Sequence, residues 1–161
     1  MSRIIWRIAT EARAYSADDL SGVGAALTGG RWNDIGTPMV YASSSRALAC
    51  LETLVHLNAA ALPLNRYIVE IPVPDPVWNA AVQIAAEELP VGWDAEPAGM
   101  TSLRFGTEWV RRSKSALMLV PSVIVPEEHN ILINPAHPDA ARLTARKMRR
   151  WLYDPRFNRR Q

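Results

Sequence analysis

One cysteine, three histidines and the lack of any long apolar run leave this 161-residue chain few chemistries to choose from. With Cys50 alone there is no internal disulfide, and its place in an apolar segment reads as a buried structural thiol rather than a nucleophile. No stretch approaches the roughly 20 apolar residues of a membrane span. His56, His129 and His137 stand in no zinc-binding spacing, and Glu52 and His56, one helical turn apart, read as a local pair, so no metal is expected. A Walker phosphate loop is absent. Gly22-Val-Gly-Ala-Ala-Leu27 half-matches a dinucleotide fingerprint but lacks the third glycine and a preceding strand. No Gly-x-Ser-x-Gly elbow surrounds a serine, which argues against a hydrolase triad. The opening Met1-Ser-Arg-Ile-Ile-Trp-Arg7 reads as a strand rather than a leader, and a cytoplasmic protein without membrane contact is expected.

What is present is ordinary for a globular domain: 48% hydrophobic and 21% charged residues. The length suits one domain, taken as 1–161, with a real core. The net charge of +2 conceals an asymmetry. Between Arg142 and Arg160 lie eight basic residues and one acid, Asp154, which leaves about −5 on the remainder. Such a segment can meet nucleic acid or an acidic partner. It can equally be a solvated edge protected by charge. No aromatic-interleaved pattern accompanies it, so direct nucleic-acid binding is not expected.

Alternation predicts strands over Ile4–Ala9, with Trp6 and Ile8 on one side, and over Leu64–Val73, with Tyr67, Val69 and Ile71 on one face. Trp32 and Met39–Ala42 read as short strands joined by the turn Asp34-Ile-Gly-Thr-Pro38. Further strands are expected at Ala116–Val120, continued by Val123–Val125, and at Ile131–Ile133. Helices are expected at Ala17–Leu27, Ser45–Asn58 and Phe105–Ser113. Arg142–Tyr153 fits helix or strand, and residues 75 to 100, broken by Pro76, Pro90 and Pro97, are mixed. Short mixed and antiparallel strands with a few helices, lacking regular βαβ alternation, predict a compact α+β domain.

Glu52 stands out. It is a lone carboxylate in Ala47-Leu-Ala-Cys-Leu-Glu-Thr-Leu-Val-His-Leu57, on one helical face with Leu48 and Val55. A charge on a face that packs against a core is costly unless paired. Upstream, Gly29-Gly30 feeds Arg31, and Tyr41 ends a strand; downstream, Ser122 follows an apolar run. Arginine, tyrosine, glutamate and serine at the edges of elements suggest a site. Arg31 and Glu52 are also candidates for a structural ion pair.

The series Gly30-Arg-Trp-Asn33, Tyr41-Ala-Ser43, Ala47 to His56 and Val120-Pro-Ser122-Val-Ile-Val-Pro126 resembles the RES domain, named for an arginine, a glutamate and a serine. Arg31, Glu52 and Ser122 match those three. Glu128 to Pro138, with Asn134-Pro135, fits the family's asparagine-rich stretch, and Trp6-Arg7-Ile8 and Asp154-Pro-Arg156 fit its ends. The resemblance implies a toxin of a bacterial toxin–antitoxin pair, with a fold similar to ADP-ribosyltransferase toxins. It implies NAD⁺ as substrate, degraded by hydrolysis or phosphorolysis, or used to ADP-ribosylate a protein. No cofactor or metal is implied. The implied partner is an Xre-type helix-turn-helix antitoxin that blocks the active site; a homodimer is left open.

Cleaving the nicotinamide–ribose bond requires stabilising a ribosyl cation while neutral nicotinamide departs. Arg31 on its glycine turn suits bidentate binding of the pyrophosphate. Tyr41 suits stacking on the cationic nicotinamide, worth about 0.5–2 kcal/mol. Glu52 would bind ribose hydroxyls and offset the developing charge, as carboxylates do in glycosidases. Ser122 would orient substrate or hold Glu52, with Asn134 and Arg7 as outer candidates of the same NAD⁺ site. The alternatives are a protein ADP-ribosyltransferase using that site and, from another class, a nucleic-acid-binding module using the basic C-terminal segment.

Overall fold

The computed structural model describes residues 3–57 and 61–158. Seven strands form one sheet in the order β4-β5-β6-β2-β1-β3-β7, and every pairing is antiparallel except the parallel β4–β5. They are β1 (Arg3–Thr10), β2 (Val40–Ser43), β3 (Arg66–Val73), β4 (Val82–Gln83), β5 (Leu117–Pro121), β6 (His129–Ile133) and β7 (Arg146–Trp151). Four helices accompany them: α1 (Val23–Thr28), α2 (Arg46–Leu54), α3 (Asp75–Asn79) and α4 (Met100–Arg112). The fold is α+β, as the irregular alternation of elements predicts. No helix among the described residues is long and apolar enough to cross a membrane.

Period-two alternation sorts the core onto the two faces of the sheet. One face carries Ile5, Val69, Ile71, Leu117, Leu119, Ile131 and Ile133 in a single cluster, covered by Ala17, Val77 and Leu143. The other face is covered in two parts. Met118, Val120 and Leu132 pack with Trp32, Trp93 and Trp109. Trp6, Ile8 and Ile68 pack with Ala49 and Tyr153. Between these two covers the middle of the sheet is open, and a cleft forms there. Burial on both faces explains why β5 is apolar throughout rather than alternating.

Several expectations need correction. The segment expected as helix from Ala17 is helical only over Val23–Thr28, since Gly22 adopts φ +74 and sets the start. Trp32 lies in a turn closed by the isolated bridge between Gly30 and Asn33, not in a strand. Helix α2 begins after Ser45, whose hydroxyl accepts from the Leu48 amide at 3.1 Å, and ends at Leu54; Asn58 lies outside the described residues. Val55 is 60% exposed, so it does not share the buried face of Leu48, which is 1% exposed. Val123–Val125 forms no strand, because the Ser122 hydroxyl accepts from the amides of Ile124 and Val125 and turns the chain. Helix α4 starts at Met100, five residues ahead of the expected Phe105. Arg146–Trp151 resolves the helix-or-strand ambiguity as a strand, paired with β3.

Gly106 lets α4 pack directly on the turn at Trp32: a Cβ there would stand 1.9 Å from the Trp32 carbonyl oxygen. Gly106→Ala is therefore expected to destabilise the fold by about 1–3 kcal/mol, the usual range for overpacking, or ~2–4 °C in Tm per kcal/mol. Gly24→Ala in α1, whose Cβ would meet only Tyr15 at 4.0 Å, is expected to leave Tm unchanged or raise it slightly in the same thermal melts.

Candidate functional site

The opening between the two covers is a cleft of about 440 Å³, a size that suits a small ligand. Trp6, Ile8 and Ala49 wall one side, and Gly30, Trp32 and Val123 the other. Its floor is β2 and β1, which pair only at Trp6 with Ser43 and then separate.

Three elements converge on Glu52. From α2 it reaches over the ends of β5 and β6. The Ser122 hydroxyl donates to Oε1 at 2.6 Å, and the Asn130 side-chain amide donates to the same oxygen at 2.7 Å. Asn130 is oriented in turn by Ser43, its register partner across β2–β6, whose hydroxyl donates to Asn130 Oδ1 at 2.8 Å. Ser122 is fully buried and its backbone N–H is fixed on the Glu128 carbonyl at 2.9 Å. These donors satisfy the half-buried carboxylate without neutralising it, and no donor among the described residues engages Oε2. A negatively charged acceptor thus faces the cleft with one oxygen held and the other available.

Arg7 occupies the gap where β1 and β2 part. Strand alternation places it on the side of Ile5 and Ala9, opposite Trp6 and Ile8. Its NH1 donates to the Tyr41 carbonyl at 3.0 Å, an oxygen that continued strand pairing could have satisfied. Its Nε is buried with no hydrogen-bond partner. Burial pulls the guanidinium pKa down, while the charges of Asp19 and Tyr15 oppose that fall. An under-satisfied cation in the floor of a cleft favours an anionic ligand.

Arg31 lies at the far wall and is tied down. NH1 donates to the carbonyls of Trp93 at 3.1 Å and Ala95 at 2.8 Å, and NH2 pairs with Glu96 at 2.8 Å. Its ion-pair partner is therefore Glu96, not Glu52, which corrects that candidate pairing. Tyr41 lines the cleft with its ring. Its hydroxyl donates to Asn33 Oδ1 at 2.6 Å and accepts from the Trp32 amide at 3.1 Å, and burial pushes its pKa up. Asn33 is fully buried and donates to the carbonyls of Ala25, Asp34 and Thr37, so this pair holds the loop that presents Arg31.

The structure thus gathers Arg7, Arg31, Tyr41 and Glu52 around one cleft, with Ser122 bonded to Glu52 behind it. Asn134 does not join them. It is buried away from the residues lining the cleft, donating to the Val110 carbonyl at 3.2 Å and accepting from the Ala136 amide at 3.0 Å. Sequence reasoning missed Asn130 and Ser43. Their signal was a polar residue at a strand end on the face otherwise carrying Leu132 and Tyr41, visible only once register is known. Among the described residues no group of three or more His, Cys, Asp or Glu could hold a metal.

Known proteins resemble this chain along most of its length. Residues 4–155 match the family model described as RES domain. The chain is 65% identical over 157 residues, 98% of each chain, to a protein of Sphingobium sp. named Prs ADP-ribosylating toxin. It is 38% identical over 125 residues to a Yersinia enterocolitica protein named Toxin Res, covering 78% of this chain and 80% of that one. A Photorhabdus laumondii protein of the same name is 37% identical over 136 residues, 84% of each chain.

Tyr41→Phe would strip the Trp32 amide of its acceptor and Asn33 Oδ1 of its donor. A stability loss of about 1–3 kcal/mol in urea unfolding is expected, the cost of leaving buried polar groups unsatisfied. An unchanged midpoint would mean the hydroxyl does not hold the loop.

Proposed function

The chain belongs to the RES domain family, and from that premise we propose that it is a toxin that breaks the nicotinamide–ribose bond of NAD⁺. The observation that carries this reading is the Glu52 carboxylate, fixed through one oxygen and open through the other, in the same cleft as an under-satisfied arginine. The two charges suit the two parts of the substrate. Glu52 Oε2 accepts from ribose hydroxyls and stabilises positive charge as it develops on the sugar, an effect that grows toward the transition state. Arg7 and Arg31 serve the pyrophosphate. For Arg31 this means exchanging Glu96, which is 76% exposed, for a phosphate oxygen while NH1 stays on its carbonyls. The Tyr41 ring lies beside the nicotinamide. Ser122 and Asn130 act on Glu52 and not on substrate.

In the first reading water or phosphate takes the ADP-ribosyl group, cellular NAD⁺ falls and growth stops. A second reading transfers the group to a protein; the name of the Sphingobium relative favours it. Both share the donor site. The names of the Yersinia and Photorhabdus relatives also support a toxin–antitoxin pairing, with an Xre-type antitoxin covering the cleft as the proposed control.

The test is to incubate the pure protein with NAD⁺, with and without phosphate and candidate protein acceptors, and to resolve nicotinamide, ADP-ribose and its anomeric phosphate chromatographically. Nicotinamide release is expected; NAD⁺ left intact under every condition would overturn the proposal. Glu52→Gln is expected to lower NAD⁺ consumption by about a hundredfold or more, the scale of losing a preorganised electrostatic partner, while Tm stays put. Growth arrest undiminished by a soluble Glu52→Ala variant would sink the assignment. Glu96→Gln should weaken the hold on Arg31 NH2 and lower the KM for NAD⁺ by no more than about fivefold, because an exposed ion pair is worth about 0–1 kcal/mol.

A further inference from the structure

The basic C-terminal segment has no part in the cleft chemistry, and its structure is specific. β7 is one edge of the sheet, whereas the opposite edge, β4, spans only Val82–Gln83. Arg146 to Arg150 are all exposed. Arg146 pairs with Glu70 and Lys147 with Glu11, so these two are neutralised within the chain. Arg149 lies over the Trp151 ring at 4.8 Å and donates to the Arg150 carbonyl. Among the described residues neither Arg149 nor Arg150 has a carboxylate partner. Met148 on the strand and Leu152 and Phe157 after it are also exposed, at 53%, 60% and 56%.

Edge strands are normally guarded because their free backbone N–H and C=O groups recruit other strands. Here the guard is charge of one sign, and charge of one sign selects. A second copy docking β7 on β7 would bring the uncompensated charges of Arg149 and Arg150 together, which disfavours self-pairing. Nucleic acid would find no open stacking platform on the strand, since Trp151 is half-buried under Arg149. We infer that β7 is a docking edge for an acidic, extended segment of a partner protein, which adds as a further antiparallel or parallel strand. Backbone hydrogen bonds supply affinity, Arg149 and Arg150 supply sign selectivity, and the exposed apolar side chains seat alternate residues of the guest. The inference is independent of the NAD⁺ reading, because its test measures binding and not turnover.

The probe is a fluorescein-labelled octapeptide alternating glutamate with valine, titrated with the full chain and followed by anisotropy. Two controls are its lysine–valine counterpart and the acidic peptide with proline in place of alternate valines, which cannot complete a ladder. Saturable binding of the acidic peptide alone, weakening as salt rises, is expected. Arg149→Glu/Arg150→Glu should weaken it by about tenfold or more, and the milder Arg149→Gln/Arg150→Gln by less, with circular dichroism unchanged in both. Equal binding of the proline peptide would overturn the inference, since charge alone would then suffice. Tighter binding of a single-stranded oligonucleotide of matched charge would overturn it in favour of nucleic acid. Concentration-dependent dimerisation that the double variants abolish would overturn it in favour of a second copy.

Discussion

The structure turns on a single half-buried carboxylate oxygen that receives two hydrogen bonds, from Ser122 and Asn130, at the junction of α2, β5 and β6. An ionised carboxylate pulled part-way out of water needs such donors, and bonds to a charged acceptor are about twice as strong as neutral ones. Both donors are neutral, so neither forms an ion pair with Glu52. A guanidinium in their place would have paired the carboxylate and blunted its attraction for a cation. The donors also freeze the rotamer, and Ser43 freezes Asn130 in turn. That chain of bonds ties three strands to one helix, so it organises the sheet's centre as well as the site.

The cleft itself follows from incomplete pairing. β1 and β2 lie side by side in the sheet order yet share one register pair, Trp6 with Ser43. Beyond it the strands diverge, and an apolar side chain in the gap would leave the Tyr41 carbonyl unsatisfied. Arg7 fills the wedge and caps that carbonyl, at the cost of burying Nε without a partner. Close packing on the far wall completes the shape. A Cβ at Gly30 would lie 2.7 Å from the Tyr41 hydroxyl, so only glycine lets the loop before Arg31 approach the ring.

Much of this was legible in the sequence, and the exceptions have physical causes. Glu52 was conspicuous because a charge interrupts an otherwise apolar helical face, and periodicity alone showed it. The strands over 4–9 and 64–73 were equally plain, since period-two patterns survive when each face meets a different cluster. Arg7 was an outer candidate from the resemblance alone, because what brings it to the cleft, the divergence of β1 from β2, is a tertiary fact. Asn134, an outer candidate from the resemblance, ties a helix end to a turn away from the cleft lining, a placement set by tertiary contacts. Ser122 was read as orienting substrate or holding Glu52; it donates to that carboxylate and also accepts two backbone amides.

Charge distribution constrains how an anionic dinucleotide could be drawn in. Outside the segment beginning at Arg142 the chain carries about −5, so its overall field does not invite a pyrophosphate. At physiological ionic strength that field fades over about 8 Å, and what a bound ligand senses is the local lining. There the balance reverses: Arg7, Arg31 and Arg66 line the cleft against the single carboxylate of Glu52. Arg31 is partly spent on Glu96, and Arg66 donates to its neighbour Asn65 Oδ1 at 2.8 Å. Arg7 alone combines burial with unused donors. Recognition would then depend less on long-range steering than on a half-buried guanidinium whose Nε already lacks a partner.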